Sequence, residues 1–305
     1  MIDILSKKYW YFGFSIIVIL AGLIILAVNG MPLSIDFTGG SYLEIKIEGE
    51  KSIQNADLIL LYEQSGINDA QVQTTENGTF LVRSSFLTNE ARDQILNEIK
   101  TLSGGEVNVI RFDSVGPSIG SQVASRAALA VGAAAFGVVL FITYVFRNVP
   151  NAFRYGVCAI IAMAHDVAIV FSLAGIGSLL FEWQIDALIL TALLTVIGFS
   201  VQDKVVVFDR IRENTSILRR LEYEKLVNHS IVQTLQRSIN TQLMTVEFLL
   251  LAMAMFGGVT LQEFAVILLV GLFSGTYSSI FIAAPILVLW ENREWKTWFR
   301  KPTAA

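Results

Sequence analysis

The segment VIGFSVQDKVVVFDRIREN, Val196 to Asn214, carries two charges inside an otherwise apolar run. Its first half is apolar and its second half is charged, which is typical of a helix that leaves a membrane. Asp203 and Lys204 lie where the run is still apolar, and a charge at the centre of a bilayer costs roughly 3 kcal/mol or more. Such residues usually serve a function, so we expect the rest of the chain to hold and shield Asp203.

The composition is typical of a membrane protein. Of 305 residues, 54% are hydrophobic and 16% are charged, and the mean hydropathy is +0.60. These values predict a polytopic membrane protein and exclude an ordinary soluble domain. The net charge of −4 predicts no nucleic-acid partner. The single cysteine, Cys158, allows no internal disulfide and no cysteine-based metal or redox cluster.

Six apolar runs predict a polytopic α-helical protein with six transmembrane helices. The first run has no small-residue cleavage site after it, so we expect it to stay as an anchor. An even number of spans puts both termini on one side of the membrane. The runs are Tyr11–Val28, Ala124–Phe146, Tyr155–Ala174, Ile185–Val207, Thr241–Phe256 and Phe264–Trp290.

The distribution of basic residues predicts the orientation. Lys7, Lys8 and the basic residues after the second, fourth and sixth runs fall on one side, whereas Gly175–Gln184 and Gly257–Glu263 contain no Lys or Arg. The positive-inside rule therefore predicts that both termini are cytoplasmic and that the polar region after the first run is external. The expected divisions are residues 1–30, an external domain at 31–120, a five-helix bundle at 121–290 and a basic tail at 291–305.

The external region has the pattern of an α+β domain. Alternating or β-rich segments predict strands, the pair Asn77-Gly78 predicts a hairpin, and Thr88 is suited to cap a helix. The predicted order β-α-β-β-α-β is that of a ferredoxin-like unit. A spacer without a binding role is the alternative. The predicted elements are Ser41–Ile47, Ile53–Gln64, Ala70–Thr75, Thr79–Ser84, Thr88–Thr101 and Val107–Phe112.

Four motifs, taken together in this order, are specific enough to indicate a protein family. They are SIDFTGG at Ser34–Gly40, VGPSIG at Val115–Gly120, AHDV at Ala164–Val167 and VVVFDRIREN at Val205–Asn214. With these motifs the chain resembles the SecF half of the SecD/SecF family, which is part of the resistance–nodulation–division superfamily. The resemblance extends from the first span to the tail. The residues that carry it are Asp36, Phe37, Thr38, Gly39, Gly40, Gly116, Pro117, Asp209, Arg210, Arg212, Glu213 and Asn214.

The resemblance implies a function in protein export at the bacterial cytoplasmic membrane. It implies a half-transporter that pairs with SecD, works beside the SecY–SecE–SecG channel and contacts a translocating unfolded polypeptide. The implied role is to use the proton-motive force to help pull secreted polypeptides through and release them outside. No cofactor is implied. A scaffold that only stabilises the channel and half of a small-molecule exporter are the alternatives.

The resemblance also implies a proton path through Asp203 and Arg237, which are 34 positions apart. Desolvation favours a neutral carboxyl and a neighbouring cation favours an ionised one, so the two effects compete in such a pair. A static buried ion pair that fixes helix register is the alternative. His165 and Asp166 lie in the third run. Two interpretations stay open for them: a role in relaying protons, and a polar pair that bonds neighbouring helices.

Two residues depart from the family pattern. Lys204 follows Asp203 where the family usually has Ser or Thr, and we expect it to extend to the cytoplasmic surface or to act on Asp203. Glu247 lies in a run where an uncharged residue is expected. Taking Asp203 and Arg237 as level, Glu247 lies about 15 Å further outward, since a helix rises 1.5 Å per residue. We interpret it as an outer proton acceptor, or as a helix-packing carboxyl.

The remaining predictions concern the cytoplasmic side and chemistry. Phe208 to Arg237 is basic and amphipathic, which favours a helix along the lipid headgroups, with docking on a partner as the alternative. The sequence has no Gly-rich phosphate loop, no metal motif and no nucleophile–base pair at motif spacing, so we predict that the chain is not an enzyme.

Overall fold

The computed structural model describes residues 3–49, 53–75, 78–147, 151–242, 246–256 and 259–294. The chain divides into two compact units. The first combines Met1–Pro32 with Ala130–Ala305, and the second is Leu33–Leu129. The helices are α1 Lys8–Asn29, α2 Ile35–Thr38, α3 Asn55–Gln64, α4 Asn89–Ser103, α5 Pro117–Phe146, α6 Ala152–Phe181, α7 Ala187–Ile217, α8 Tyr223–Gln242, α9 Phe248–Phe256, α10 Val259–Ser278 and α11 Ala284–Glu291. The strands are β1 Gly40–Glu48, β2 Gln71–Thr74, β3 Thr79–Ser84 and β4 Glu106–Val115.

Within the described residues, five helical stretches are long and apolar enough to cross a membrane. They are α1 with the turn before it, α5, α6, α7, and a continuous stretch from Leu261 to Glu291 that joins α10 to α11 through a π-helical turn at Ser279–Ala283. The predicted span Thr241–Phe256 includes residues 243–245, which lie outside the described ranges. The predicted total of six spans therefore stays a prediction.

The bundle has a core formed by α6, α7 and α10. In the most apolar window of each helix, 50% of the residues of α7 are buried, compared with 11% for both α1 and α5. Glycines allow α10 to approach α7 closely: a Cβ on Gly271 would lie 2.3 Å from Val196, and one on Gly275 would lie 3.3 Å from Ser200. Small residues commonly permit such contacts between membrane helices. Charged residues on α6 and α7 are thus held inside protein.

Helix α1 packs closely on α6 at Gly22. A Cβ on Gly22 would lie 2.3 Å from the backbone Cα of Ser172, and the Ser172 hydroxyl donates to the carbonyl of Ile19 at 2.9 Å. Because the added Cβ is fixed to the α1 backbone and the Ser172 Cα belongs to the α6 backbone, neither atom can move aside without shifting a helix.

We expect Gly22→Val to separate α1 from α6 and to destabilise the chain by about 1–3 kcal/mol, the usual cost of overpacking. Gly13→Val on the same helix is the matched control, since a Cβ there meets nothing within 4 Å. Thermal unfolding of the two variants measures the difference. Equal stability of both variants would contradict the close contact.

The second unit is built on a four-stranded antiparallel sheet with strand order β2-β3-β1-β4. The elements β1, α3, β2, β3, α4 and β4 follow one another in the predicted order. Thr88 caps α4 as predicted, with its hydroxyl accepting from the Ala91 N–H at 3.3 Å. Asn77 of the predicted hairpin lies outside the described residues. The core consists of Leu43, Ile45, Leu58, Leu61, Tyr62, Val82, Leu87, Ile95 and Ile99.

The two glycine motifs at the ends of this unit contact one another. Ser34 caps the short helix α2 by accepting from the Asp36 N–H, and Gly39 follows with a φ of 75° that favours glycine. A Cβ on Gly39 would lie 2.7 Å from the Cα of Pro117, and a Cβ on Gly120 would lie 2.5 Å from the Gly39 nitrogen. The motifs around residues 34–40 and 115–120 thus form one tightly packed junction.

The segment Phe208–Arg237 is a helical hairpin rather than one helix. Helix α7 continues to Ile217, residues 218–222 form the turn, and α8 returns. Leu226 and Ile231, two apolar residues of this segment, are buried at 3% and 0% exposure. These two side chains therefore pack on the protein's own helices, because the chain reverses within the segment.

Candidate functional site

A buried ion pair lies at the centre of the bundle. The Lys204 ammonium donates to Asp166 Oδ2 at 2.8 Å, and the two residues are 0% and 1% exposed. Lys204 comes from α7 and Asp166 from α6. The expected extension of Lys204 to the cytoplasmic surface is therefore wrong, because its buried partner lies within reach on the next helix.

Three serines complete the surroundings of this pair. Ser200 and Ser278 donate to Asp166 Oδ2 at 2.6 and 2.7 Å, and Ser274 donates to Oδ1 at 2.7 Å. The Lys204 ammonium also donates to the Ser278 hydroxyl at 2.9 Å and to the Ser200 carbonyl at 3.2 Å. Each polar atom thus has a partner, which a buried charge needs to avoid a large desolvation cost.

His165 lies at the edge of this cluster. Its Nδ1 is 3.1 Å from Asp166 Oδ1, and its ring stacks on Tyr277 with centroids 6.1 Å apart. Its Nε2 is buried and has no hydrogen-bond partner in the described part of the chain. The ion pair and the three serines fit the interpretation of Asp166 as a polar group that bonds neighbouring helices.

Asp203 is the second buried carboxylate, with 5% exposure, and its surroundings differ from those of Asp166. Its Oδ2 accepts from the Thr276 hydroxyl at 3.0 Å and from the Gln242 amide at 3.3 Å. Both donors are neutral, and they come from α10 and α8. Asp203 therefore connects three helices, α7, α8 and α10, through bonds that depend on its own charge.

Arg237 lies apart from Asp203. Among the described residues, no ion pair within 4.0 Å joins Arg237 to the Asp203 carboxylate, and the guanidinium acts on it only through space. Arg237 instead lines an open cleft of about 580 Å³ between α5 and α7, together with Gly137, Gly198 and Gln202. The predicted direct pair is therefore not formed in this structure, because Gln242, five residues further along the chain, takes the position beside Asp203.

Glu247 is 3% exposed, and both of its carboxylate oxygens are buried without a hydrogen-bond partner in the described ranges. It interacts electrostatically with Asp203. The predicted 15 Å separation assumed that Arg237 is level with Asp203. Because Gln242 is the residue that bonds Asp203, Glu247 follows that level by only five residues.

Sequence reasoning missed Ser274, Thr276, Ser278 and Gln242 as members of the site. A signal was present in the spacing: Ser200 and Lys204 are four residues apart, as are Ser274 and Ser278, and such pairs share a helix face. By contrast, the hydroxyls of Thr191 and Thr195 on α7 donate to carbonyls four residues earlier on their own helix.

Side chains at the charged end of α7 form ion pairs within α7 and hydrogen bonds to α8. Arg210 donates to Gln233 at 2.7 Å and pairs with Glu213 at 2.6 Å, while Asp209 pairs with Arg212 at 2.7 Å. Asn214 reaches α8 through the Ser230 hydroxyl at 2.8 Å and Gln233 at 2.9 Å. These residues thus set how α8, and with it Gln242, lies beside α7. In the described ranges, no three His, Cys, Asp or Glu side chains are grouped to hold a metal ion.

These features define a multi-pass helical membrane protein that buries the Lys204–Asp166 ion pair and the carboxylates of Asp203 and Glu247. A family model described as protein export membrane protein SecD/SecF, C-terminal, matches residues 94–293, and a SecD/SecF GG motif model matches residues 24–50. The chain belongs to the SecD/SecF family of protein export membrane proteins.

Relatives of two lengths match the chain. Protein translocase subunit SecF of Anaerolinea thermophila is 62% identical over 308 residues, with 100% of both chains covered. Protein translocase subunit SecDF of Thermus thermophilus is 37% identical over 279 residues, which cover 88% of this chain and 36% of that protein.

Two solved structures are also similar to this chain. The crystal structure of SecDF, a translocon-associated membrane protein from Thermus thermophilus, matches with a TM-score of 0.80 and 32% identity, covering 96% of this chain and 39% of that chain. SecDF in a super-membrane-facing form matches with a TM-score of 0.63 and 29% identity. This chain corresponds to about two fifths of the solved SecDF chains.

Proposed function

We propose that this chain is an accessory subunit of the Sec protein translocase and couples the proton-motive force to the release of secreted polypeptides outside the membrane. The family supports the translocase role. The fused SecDF relative supports a SecD partner, and the expected setting is the SecY–SecE–SecG channel and its unfolded client. In this proposal the chain spans the bacterial cytoplasmic membrane six times, with both termini cytoplasmic and a ferredoxin-like external domain.

The observation that carries the coupling proposal is the contrast between two of the buried carboxylates, Asp166 and Asp203. Asp166 has a cation at 2.8 Å, so its charge is balanced in place. Asp203 is bonded by neutral donors, Thr276 and Gln242. A carboxylate without a bonded cation is the one that gains and loses a proton at the lower cost inside a protein. We therefore assign proton exchange to Asp203.

Movement follows from the positions of the Asp203 donors. When Asp203 is ionised, its charge strengthens the bonds from Thr276 on α10 and Gln242 on α8, since hydrogen bonds to charged groups are roughly twice as strong as neutral ones. Protonation weakens both bonds together and allows α8 and α10 to shift against α7. Arg237, near the cleft beside α5, stays charged throughout and supplies the cation towards which an ionised Asp203 is drawn in the alternate arrangement.

Vesicle secretion experiments test the function. Membrane vesicles that contain the translocase, with and without this chain and its SecD half, are supplied with a secretory polypeptide, and its release is measured before and after an ionophore collapses the gradient. We expect faster release with the chain present and loss of this gain on collapse. An equal gain in both conditions would instead support a scaffold. Changed drug tolerance with normal secretion would support an exporter.

Glu247 provides a separate prediction. As a buried carboxyl without a described partner, it is suited to pass protons between the outer side and Asp203. We expect Glu247→Gln to change how the secretion rate depends on external pH. The exposed Glu182→Gln on the loop after α6 is the control, and its profile should match the unmodified chain. An unchanged profile for Glu247→Gln would remove Glu247 from the path and leave it a packing residue.

A further inference from the structure

The Lys204 ammonium lies in a cage of oxygen atoms contributed by α6, α7 and α10. Its neighbours are Asp166 Oδ2 at 2.8 Å, Ser278 Oγ at 2.9 Å, the Ser200 carbonyl at 3.2 Å and the Ser200 hydroxyl. Carboxylate, hydroxyl and carbonyl oxygens are the ligands that hard cations take in proteins. We propose that this cage is a monovalent-cation site and that Lys204 occupies it as a covalently attached cation.

The orientation of the hydroxyls supports a cation site in particular. Asp166 Oδ2 is an acceptor for both the Ser200 and the Ser278 hydroxyl, and a hydroxyl that donates to it turns its lone pairs to the Lys204 nitrogen. The cage therefore presents oxygens that need one positive charge at that point. Since Lys204 and Asp166 are 0% and 1% exposed, solvent does not screen the Asp166 charge, and a cation in the cage has to balance it. Ammonium and potassium ions have similar sizes, so potassium is the free cation that we expect to replace the Lys204 ammonium in the cage.

In this proposal, Lys204 determines whether the cage beside Asp166 can bind a free monovalent cation. Position 204 departs from the Ser or Thr expected from the family pattern, and a serine there has no charge and is too short to reach Asp166. With the cage permanently filled, Asp166 needs no free potassium or sodium, and Asp203 remains as the exchanging carboxylate. This inference rests on the proposed function for its consequence, but the cation site itself is tested by binding.

The test uses the full chain in lipid nanodiscs with Lys204→Ser, which shortens the side chain and empties the cage. Its melting temperature is measured in potassium, sodium, methylammonium and choline chlorides at equal ionic strength. We expect potassium, sodium or methylammonium to raise it by about 3 °C or more over choline, in a saturable manner. The unmodified chain, whose cage is filled, should show no such difference. A Lys204→Ser chain that melts at one temperature in all four salts would overturn the proposal.

Two further variants separate cation binding from a general loss of stability. Lys204→Met fills the volume without a charge and should stay insensitive to the cation, and Asp166→Asn with Lys204→Ser should lose the response. A response in either variant equal to that of Lys204→Ser would contradict the cage. If Lys204→Ser aggregates in choline, purification in methylammonium should recover monodisperse protein, and aggregation in both salts would refute the proposal. Secretion is not measured here, so the proposed function can fail while the cation site stands.

Discussion

Secretion in cells whose only copy of this chain carries Asp203→Asn should lose its dependence on the proton-motive force. Asparagine fits the site of Asp203 and still accepts from Thr276 and Gln242, which bond the carboxylate at 3.0 and 3.3 Å. It has no charge to gain or lose, so the bonds from α8 and α10 keep one strength at every stage of the cycle. We expect the gradient-dependent part of the secretion rate to fall by at least about tenfold, corresponding to about 1.4 kcal/mol of lost coupling.

The controls for this variant address assembly and surface charge. Membrane levels of the chain and its co-purification with the SecD half should be unchanged, because Asn preserves the packing. Glu222→Gln removes a carboxylate that is paired with Lys225 at the exposed hairpin turn, and it should leave secretion unchanged. Full gradient-dependent secretion with Asp203→Asn would remove Asp203 from the mechanism and favour a scaffold.

The second large effect concerns stability. Lys204→Met should destabilise the chain by roughly 3–5 kcal/mol, because it leaves the Asp166 carboxylate buried without its cation. Combining Lys204→Met with Asp166→Asn removes both charges and should recover most of that loss, as neutral replacements of buried ion pairs often do. Denaturant unfolding of the two variants measures the difference.

Lys225→Met is the matched control for that measurement. Lys225 also forms an ion pair, with Glu222 at 2.9 Å, but its side chain is 69% exposed. Exposed pairs contribute about 0–1 kcal/mol, so this variant should be close to the unmodified chain. A single Lys204→Met chain as stable as Lys225→Met would show that the buried pair contributes nothing to folding.

Different sequence signals predicted the elements of the two units. Hydrophobic runs located α1, α5, α6 and α7 because lipid requires long apolar helices. In the Leu33–Leu129 unit, strand alternation and the Thr88 cap gave the order of the elements, since these are local signals. The sequence pattern did not predict the hairpin of α7 and α8, because the turn around Leu218 contains no glycine or proline to mark it.

The sequence indicated the charged residues of the candidate site but neither their hydroxyl and amide partners nor their pairings. Asp203, Asp166 and Lys204 were identified because charges are rare in apolar runs. Their partners depend on how α6, α7 and α10 rotate against one another, which no spacing along one helix specifies. The assumption that Arg237 is level with Asp203 failed for the same reason, since the turn between α7 and α8 sets which residue of α8 meets Asp203.

Infrared difference spectroscopy of the full chain in lipid tests the central claim most directly, because it reports the protonation state of a carboxyl group. The account predicts a carboxylic acid band that grows as the pH falls through the range where secretion depends on the gradient and that is missing in Asp203→Asn. If Asp203 stays ionised throughout that range, with no band assigned to it, proton exchange at this residue is contradicted.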